Sequence, residues 1–256
     1  MVSKIHMKDL TTVTLNGKRH YVVKSGSKVH FLPSVTTILG EMTDHSGIDE
    51  WKERVGEVEA NKISKFSTSR GTCMHVFCEI YLDEKIKDIK TILKKSYDRC
   101  IEEGFNEDHI NNGRKLFYNF YHAKSFDRIK KVLIQEASLW TLREGGYAGR
   151  TDNIYESVLN LNIVSDFKTS KKPKKADWIK NYFMQLGAYH IAYFDMFKKE
   201  LDGSEIWISN EQDVVPQIFE ISKQDTRNNG KEFLKLVKEY HKKNDKLLEK
   251  ELLKNN

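Results

Sequence analysis

A chain of 256 residues, 39% hydrophobic and 31% charged, can build one substantial core, and its 11% aromatic share is too high for a disordered polymer. No run approaches eighteen apolar residues, which excludes a membrane-spanning helix, and the first ten residues, with Lys4, Lys8 and Asp9, show no secretion or mitochondrial import signal. Cys73, Cys78 and Cys100 fit no zinc spacing and suit a reducing cytoplasm, and a formal charge of +6 points only weakly to an anionic partner.

Val13 to Val23 alternates around Asn16-Gly17, a strong hairpin signal, and Ser34 after Pro33 is placed to cap a short helix through Val35, Ile38 and Leu39. Helices are expected at about 48–65, 68–84, 88–103 and 107–124, the last with Phe117, Phe120 and Tyr121 on one side. Past Arg128 the period changes. Val132–Arg143, Tyr147–Tyr155 and Asn160–Lys168 read as strands separated by Glu144-Gly145-Gly146 and by Glu156-Ser157. A helix at about 175–199, strands at Glu205–Ser209 and Val214–Glu220, and a terminal helix from near Ser222 complete the order. This order predicts a mixed α/β architecture with a central sheet. No repeat or flexible linker interrupts it, so the chain reads as a single domain over 1–256: hairpin and helical cover in 1–125, sheet and later helices in 126–256.

The chemistry concentrates in Ile163-Val164-Ser165-Asp166-Phe167-Lys168-Thr169-Ser170. Residues two apart in a strand share a face, so Asp166 and Lys168 project together while Phe167 turns into the opposite layer. Alone, the pair reads equally as a surface ion pair. In Gly149-Arg150-Thr151-Asp152-Asn153-Ile154, Asp152 lies on the preceding strand, where the hairpin return can bring it beside Asp166. Converging carboxylates repel unless a cation lies between them, and hard oxygen donors select Mg²⁺ or Mn²⁺. Lys168 is then placed to orient or deprotonate an attacking water and to offset charge on a phosphate. Residues 167–180 hold six lysines against Asp177, a net +5, whereas the +4 from Ile221 onward is spread along a solvated helix face.

The Asp152…Asp166-x-Lys168 arrangement resembles the PD-(D/E)XK nuclease superfamily. Gln185 and Tyr189, in Met184-Gln185-Leu186-Gly187-Ala188-Tyr189, match the Gln-x-x-x-Tyr of its RecB-like branch, and Gly71, His75 and Glu79 match that branch's Gly-x-x-x-His-x-x-x-Glu. A further likeness, to the family of mitochondrial genome maintenance exonucleases, runs over about residues 30–195, through Leu32–Leu39, Glu50-Trp51-Lys52-Glu53-Arg54 and Asp166–Lys174. The resemblance implies a restriction-endonuclease-like core, with a central mixed sheet flanked by helices and an N-terminal helical cover. It implies a metal held by His75, Asp152, Asp166 and the main-chain carbonyl of Phe167, with Lys168 catalytic and Gln185 and Tyr189 beside it. Glu136 matches an acidic position that either binds metal or braces the site.

Lys171, Lys172, Lys174 and Lys175 follow the active strand and can hold a phosphate backbone without reading bases. Arg150 reads equally as a phosphate contact or a salt bridge. Trp178 sits amid lysines and is a candidate base-stacking residue, whereas Trp51, Phe66 and Tyr182 read first as core. Ser34 matches a family position that touches DNA, though Ser after Pro is an N-cap first. Three cysteines fall short of the four-cysteine cluster of the branch's CRISPR-adaptation nucleases, so no iron–sulfur cluster is expected. The resemblance implies a Mg²⁺-dependent exonuclease, with Mn²⁺ substituting, that hydrolyses single-stranded DNA from free ends in replication, repair or recombination. Its partners would be single-stranded DNA and replication or recombination proteins, with no membrane, in a bacterial or phage-infected cytoplasm. A duplex-end exonuclease or structure-specific endonuclease of phage recombination is the alternative enzyme, and an idle DNA-binding module the non-enzymatic one.

Overall fold

Asn16 and Gly17 adopt φ of 50° and 70°, the left-handed pair that a tight two-residue hairpin turn demands, and they join β1 (Thr12–Leu15) to β2 (Lys18–Ser25). In this computed structural model, which describes residues 9–44, 46–83 and 88–254, with side chains to 244, a third strand follows. Strand β3 (Lys28–Pro33) pairs antiparallel with β2 around Gly26, at φ 61°. Gly26-Ser27 is itself a two-residue hairpin signal, and it marks a strand absent from the sequence-based order.

Ser34 caps α1 (Val35–Met42). The helices expected at 48–65 and 68–84 are instead α2 (Ser46–Val55) and a 26-residue α3 (Glu57–Leu82). Their boundary is Gly56, at φ 88°. Ser67 and Thr68 resemble cap residues, but Ala60, Arg70, Met74 and Phe77 keep one helical stripe buried straight past them. Helices α4 (Ile89–Glu102) and α5 (Glu107–His122) start on Asp88 and Asn106, whose side chains accept the N–H of Thr91 and His109.

Five strands follow the change of period: β4 (Ile129–Thr141), β5 (Tyr147–Ser157), β6 (Asn162–Ser170), β7 (Gly203–Asn210) and β8 (Gln217–Ser222). They form one mixed sheet in chain order, antiparallel except where β6 and β7 run parallel across helix α6 (Lys180–Phe197). The expected start of that helix near 175 is a separate 3-10 turn, Ala176–Trp178, which non-helical Ile179 separates from α6. The chain ends in α7 (Lys223–Lys254).

Strand parity sorts the core into two layers. On one side Phe167, Tyr155 and Trp207 pack under α3, α4 and α5 against Phe77, Phe117 and Phe120. On the other, Ile134, Ile154, Val164 and Ile206 pack under α1, α6 and α7 against Leu186, Phe233 and Val237. Helices α6 and α7 cross at Gly187 and Gly230, where a Cβ on Gly187 would lie 2.2 Å from the Gly230 nitrogen. That close seam fixes α6 over the sheet. The architecture is therefore α/β, a mixed sheet flanked by helices. Among the described residues no helix is long and apolar enough to cross a membrane.

Candidate metal centre

The β5–β6 ladder runs from Glu156↔Asn162 to Asn153↔Ser165 and then opens. Beyond that point β5 stays with β4 as far as Tyr147, and β6 stays with β7 as far as Ser170, so the sheet forks. Asp152 and Asp166 are the first residues past the last pair, one on each arm. Asp152 Oδ2 accepts the Phe167 N–H at 2.7 Å, a side-chain oxygen where the ladder would have continued. Two buried carboxylates thus face each other across a gap in a sheet.

On the same face, two residues on, the Lys168 ammonium lies against Asp166 Oδ2. Helix α6 supplies the other contact: Gln185 Nε2 donates to Asp166 Oδ1 and to the Tyr189 hydroxyl, each at 3.0 Å. Gly149 allows this, because a Cβ there would lie 2.7 Å from the Tyr189 ring.

From the opposite layer, α3 brings half-buried His75, with Nδ1 3.5 Å from Asp152 Oδ2. Glu79, the last residue of the same motif, pairs with Arg99 at 2.8 Å. Glu136 projects from β4 opposite Asp152, between the pairs Gln135↔Asn153 and Ala137↔Thr151, with φ of 46°. A non-glycine residue in the left-handed region within a strand is strained, and such strain concentrates at functional sites. Its carboxylate meets Arg150 Nε at 2.9 Å.

Burial dominates the electrostatics of the site. Burial, reinforced by Asp152, pushes Glu136 up to about 8. Burial pushes Asp166 up to about 6 against the pull of Lys168. Burial opposes the charge on His75, but Asp152 outweighs it and raises the imidazole to about 9, while His75 in turn holds Asp152 below its usual range. Ligand atoms of His75, Glu136 and Asp152 lie within 4.8 Å of one another. This convergent, largely buried nitrogen-and-oxygen donor set fits a divalent cation. Asp166 lies beside it across the fork.

The site opens into a cavity of about 430 Å³, whose far wall includes Thr12, Arg19 and Tyr21 of the N-terminal sheet and Thr36 of α1. The cover over the site is therefore chiefly a small sheet, not the expected helices; α3, α4 and α5 pack beneath the main sheet instead. The sequence offered no local signal for Arg19 or Tyr21 as cavity residues, since only the tertiary fold carries the hairpin to the fork. Arg19 Nη2 donates to Thr36 Oγ1 at 3.0 Å.

The remaining candidates scatter. Ser34 is 1% exposed and its hydroxyl accepts the Thr37 N–H at 2.9 Å, so it serves as a helix cap with no surface for DNA. Its backbone bridge to Ala148 ties the cover to β5. Arg150 is salt-bridged to Glu136 while lining the cavity. Lys171, Lys172, Lys174 and Lys175 lie just beyond β6, outside the cluster. Trp178 is 64% exposed, with Lys175 Nζ 5.5 Å from its ring centre. Phe167 meets Asp152 through its N–H, while its ring, in the opposite layer, lies edge-on to His75 with ring centres 6.1 Å apart.

No family model and no curated protein matches the chain. Among solved structures, a protein of Eubacterium rectale provisionally named an exonuclease is similar with 12% identity and a TM-score of 0.46 over 64% of this chain. The match takes in 65% of that protein, just under two thirds of its length. A second structure, of SSO0001, is similar with 16% identity and a TM-score of 0.31, over 56% of this chain and 67% of that one.

Proposed function

We propose that this chain is a metal-dependent nuclease of the PD-(D/E)XK superfamily, RecB-like in its site, that shortens single-stranded DNA from free ends. One observation carries the reading: the forked sheet gathers Glu136, Asp152, Asp166 and Lys168 along one open cavity, and α3 brings His75 against Asp152 and Glu136 from the opposite layer. Ordinary packing gives no reason to converge three carboxylates, whereas phosphodiester hydrolysis requires a divalent cation held beside an ammonium.

His75, Asp152 and Asp166 would hold the cation, with Glu136 and the Phe167 carbonyl as further donors. When bound, it would supply Lewis-acid polarisation of a phosphate oxygen and a more acidic water. Lys168, kept protonated by Asp166 and Asp152, offers N–H donors that orient the attacking water and offset charge on the phosphoryl oxygens. The water oxygen forms the new P–O bond as the bond to the leaving sugar oxygen breaks, the water giving up a proton to solvent and the sugar oxygen taking one up from solvent. Gln185 holds Asp166 in one rotamer, and Tyr189 holds Gln185. The carboxylate donors suit Mg²⁺ and Mn²⁺ alike. A roofed cavity of about 430 Å³ is in the size range of small-ligand pockets and suits a threaded strand rather than a duplex.

End-labelled linear and circular single strands, incubated with Mg²⁺, Mn²⁺ or EDTA, test this. Linear strands should shorten, circles should persist, and EDTA should stop the reaction. Asp166→Asn should lower the rate by more than the roughly 10–100-fold typical of outer-shell changes while the protein stays folded. Circles cut as fast as linear strands overturn the exonuclease reading. No cleavage of any nucleic acid with either metal overturns the nuclease reading itself.

A further inference from the structure

A second cavity, of about 510 Å³, opens beyond the C-terminal end of β6, between the first half of α3 and the segment leading into α6. Phe66, Arg70, Lys171, Lys174, Tyr182 and Glu211 line it. It adjoins the metal centre. Thr169 and Ser170, next along the strand from Lys168, form part of its wall, and Lys168 Nζ lies 5.1 Å from the centre of the Tyr182 ring.

Arg70 is the unusual member. It is only 5% exposed, its one ion-pair partner is Glu211, and its buried Nε finds no acceptor among the described residues. Arg70 lines the groove, and its guanidinium, with five N–H donors, has Glu211 as its one ion-pair partner among the described residues. Lys171 and Lys174 have no acidic partner among the described residues, whereas Lys62 in the same groove lies 3.9 Å from Glu59. Cations without acidic partners among the described residues, a buried guanidinium and two aromatic rings line one groove. That combination suits a phosphate flanked by an unstacked base.

We infer that this groove seats a phosphate of a single strand adjacent to the one being cut, with Arg70, Lys171 and Lys174 on the phosphate and Phe66 and Tyr182 against bases. The position relative to the cut rests on the nuclease reading; the binding does not. The groove also divides the lysine cluster. Lys171 and Lys174 line it, whereas Lys172 and Lys175 do not.

The test is binding of a fluorescent oligothymidylate to the full chain in EDTA, where cleavage plays no part. Two double variants remove the same charge: Lys171→Gln with Lys174→Gln, and Lys172→Gln with Lys175→Gln. The first should weaken binding about tenfold at low salt and lower the slope of log affinity against log salt by roughly 1.4, at about 0.7 per lost single-strand contact. The second should leave most of the slope. Phe66→Leu should weaken binding roughly fivefold, the low end of a lost base stack. Oligonucleotides with a 5′-phosphate, a 3′-phosphate or neither separate a seat for a terminal phosphate, which one of them would favour, from a seat for an internal diester, which treats all three alike. Equal losses in the two doubles overturn the inference. If the first double alone loses binding while no metal supports cleavage by the unaltered protein, the groove stands and the nuclease reading falls. If cleavage holds and the doubles bind alike, only the groove falls.

Discussion

Asp166 is constrained by Lys168 at one carboxylate oxygen and by Gln185 at the other, and Gln185 spends its second N–H on Tyr189. Replacing Gln185 with Leu would keep the bulk but leave Asp166 Oδ1 and the buried tyrosine hydroxyl unmet. We expect Gln185→Leu to lower metal affinity and turnover by roughly 10–100-fold, the usual reach of an orienting residue. Tyr189→Phe, which removes only the outer bond, should cost less. Metal titration by calorimetry with single-turnover cleavage checks both, and a Gln185→Leu protein with unchanged metal affinity would end the positioning role. These residues were legible because strand and helix periods alone place i, i+2 and i, i+4 neighbours together. Glu136 was less so. Its carboxylate reaches the site through a backbone at φ 46°, which no side-chain pattern announces.

Helix α6 reads differently from its two faces. One carries Gln185 and Tyr189; another buries His190, whose Nδ1 has no partner among the described residues. Burial, with Arg227 and Lys223 adding repulsion against the weaker help of Glu200 and Asp202, pulls His190 from an ordinary 6.5 down to about 4. Arg143 and Lys231 line, with His190 and Arg227, a small cavity of about 200 Å³. The unfolded chain therefore takes up a proton near 6.5 that the folded chain refuses until about 4. Stability from this residue is present above 6.5 and is lost as pH falls toward 4, by up to about 3 kcal/mol. His190→Leu should flatten that loss. Urea midpoints at neutral pH and near pH 5 compare the two proteins, and parallel curves would remove His190 as the cause. At this scale the order of elements was largely readable from periodicity and caps, while the joints were not. Gly56 in place of the Ser67 region, the Gly26-Ser27 turn and the Ile179 break are decided by single backbone conformations inside otherwise continuous patterns.

At the scale of the whole molecule the site belongs to no single element. His75 comes from the layer beneath the sheet, Glu136, Asp152, Asp166 and Lys168 from three strands, Gln185 from the layer above, and Arg19 and Tyr21 from a separate sheet that roofs the cavity. The roof escaped sequence reading because nothing local marks the face of a hairpin that will meet a fork more than a hundred residues away. The cover is also tied to the chain's far end: Glu41 of α1 accepts from Asn244 of α7 at 3.1 Å and pairs with Lys18 of β2. A cation joining the layers should therefore stabilise the fold as a unit, since the unfolded chain cannot assemble its ligands. At a free concentration 100 times its dissociation constant, a divalent ion should add about 2.7 kcal/mol. For a chain of this size that is a rise of roughly 5–10 °C in midpoint over the EDTA-treated protein. Calcium, which occupies oxygen sites without supporting most phosphoryl chemistry, allows the measurement without turnover. His75→Ala and Asp152→Asn should each erase most of the rise, whereas Arg99→Gln, which removes the ion pairs to Glu79 and Glu103 away from the cluster, should lower the midpoint with and without metal alike and keep the difference. A metal-dependent rise that survives loss of both His75 and Asp152 would place the cation elsewhere in the molecule.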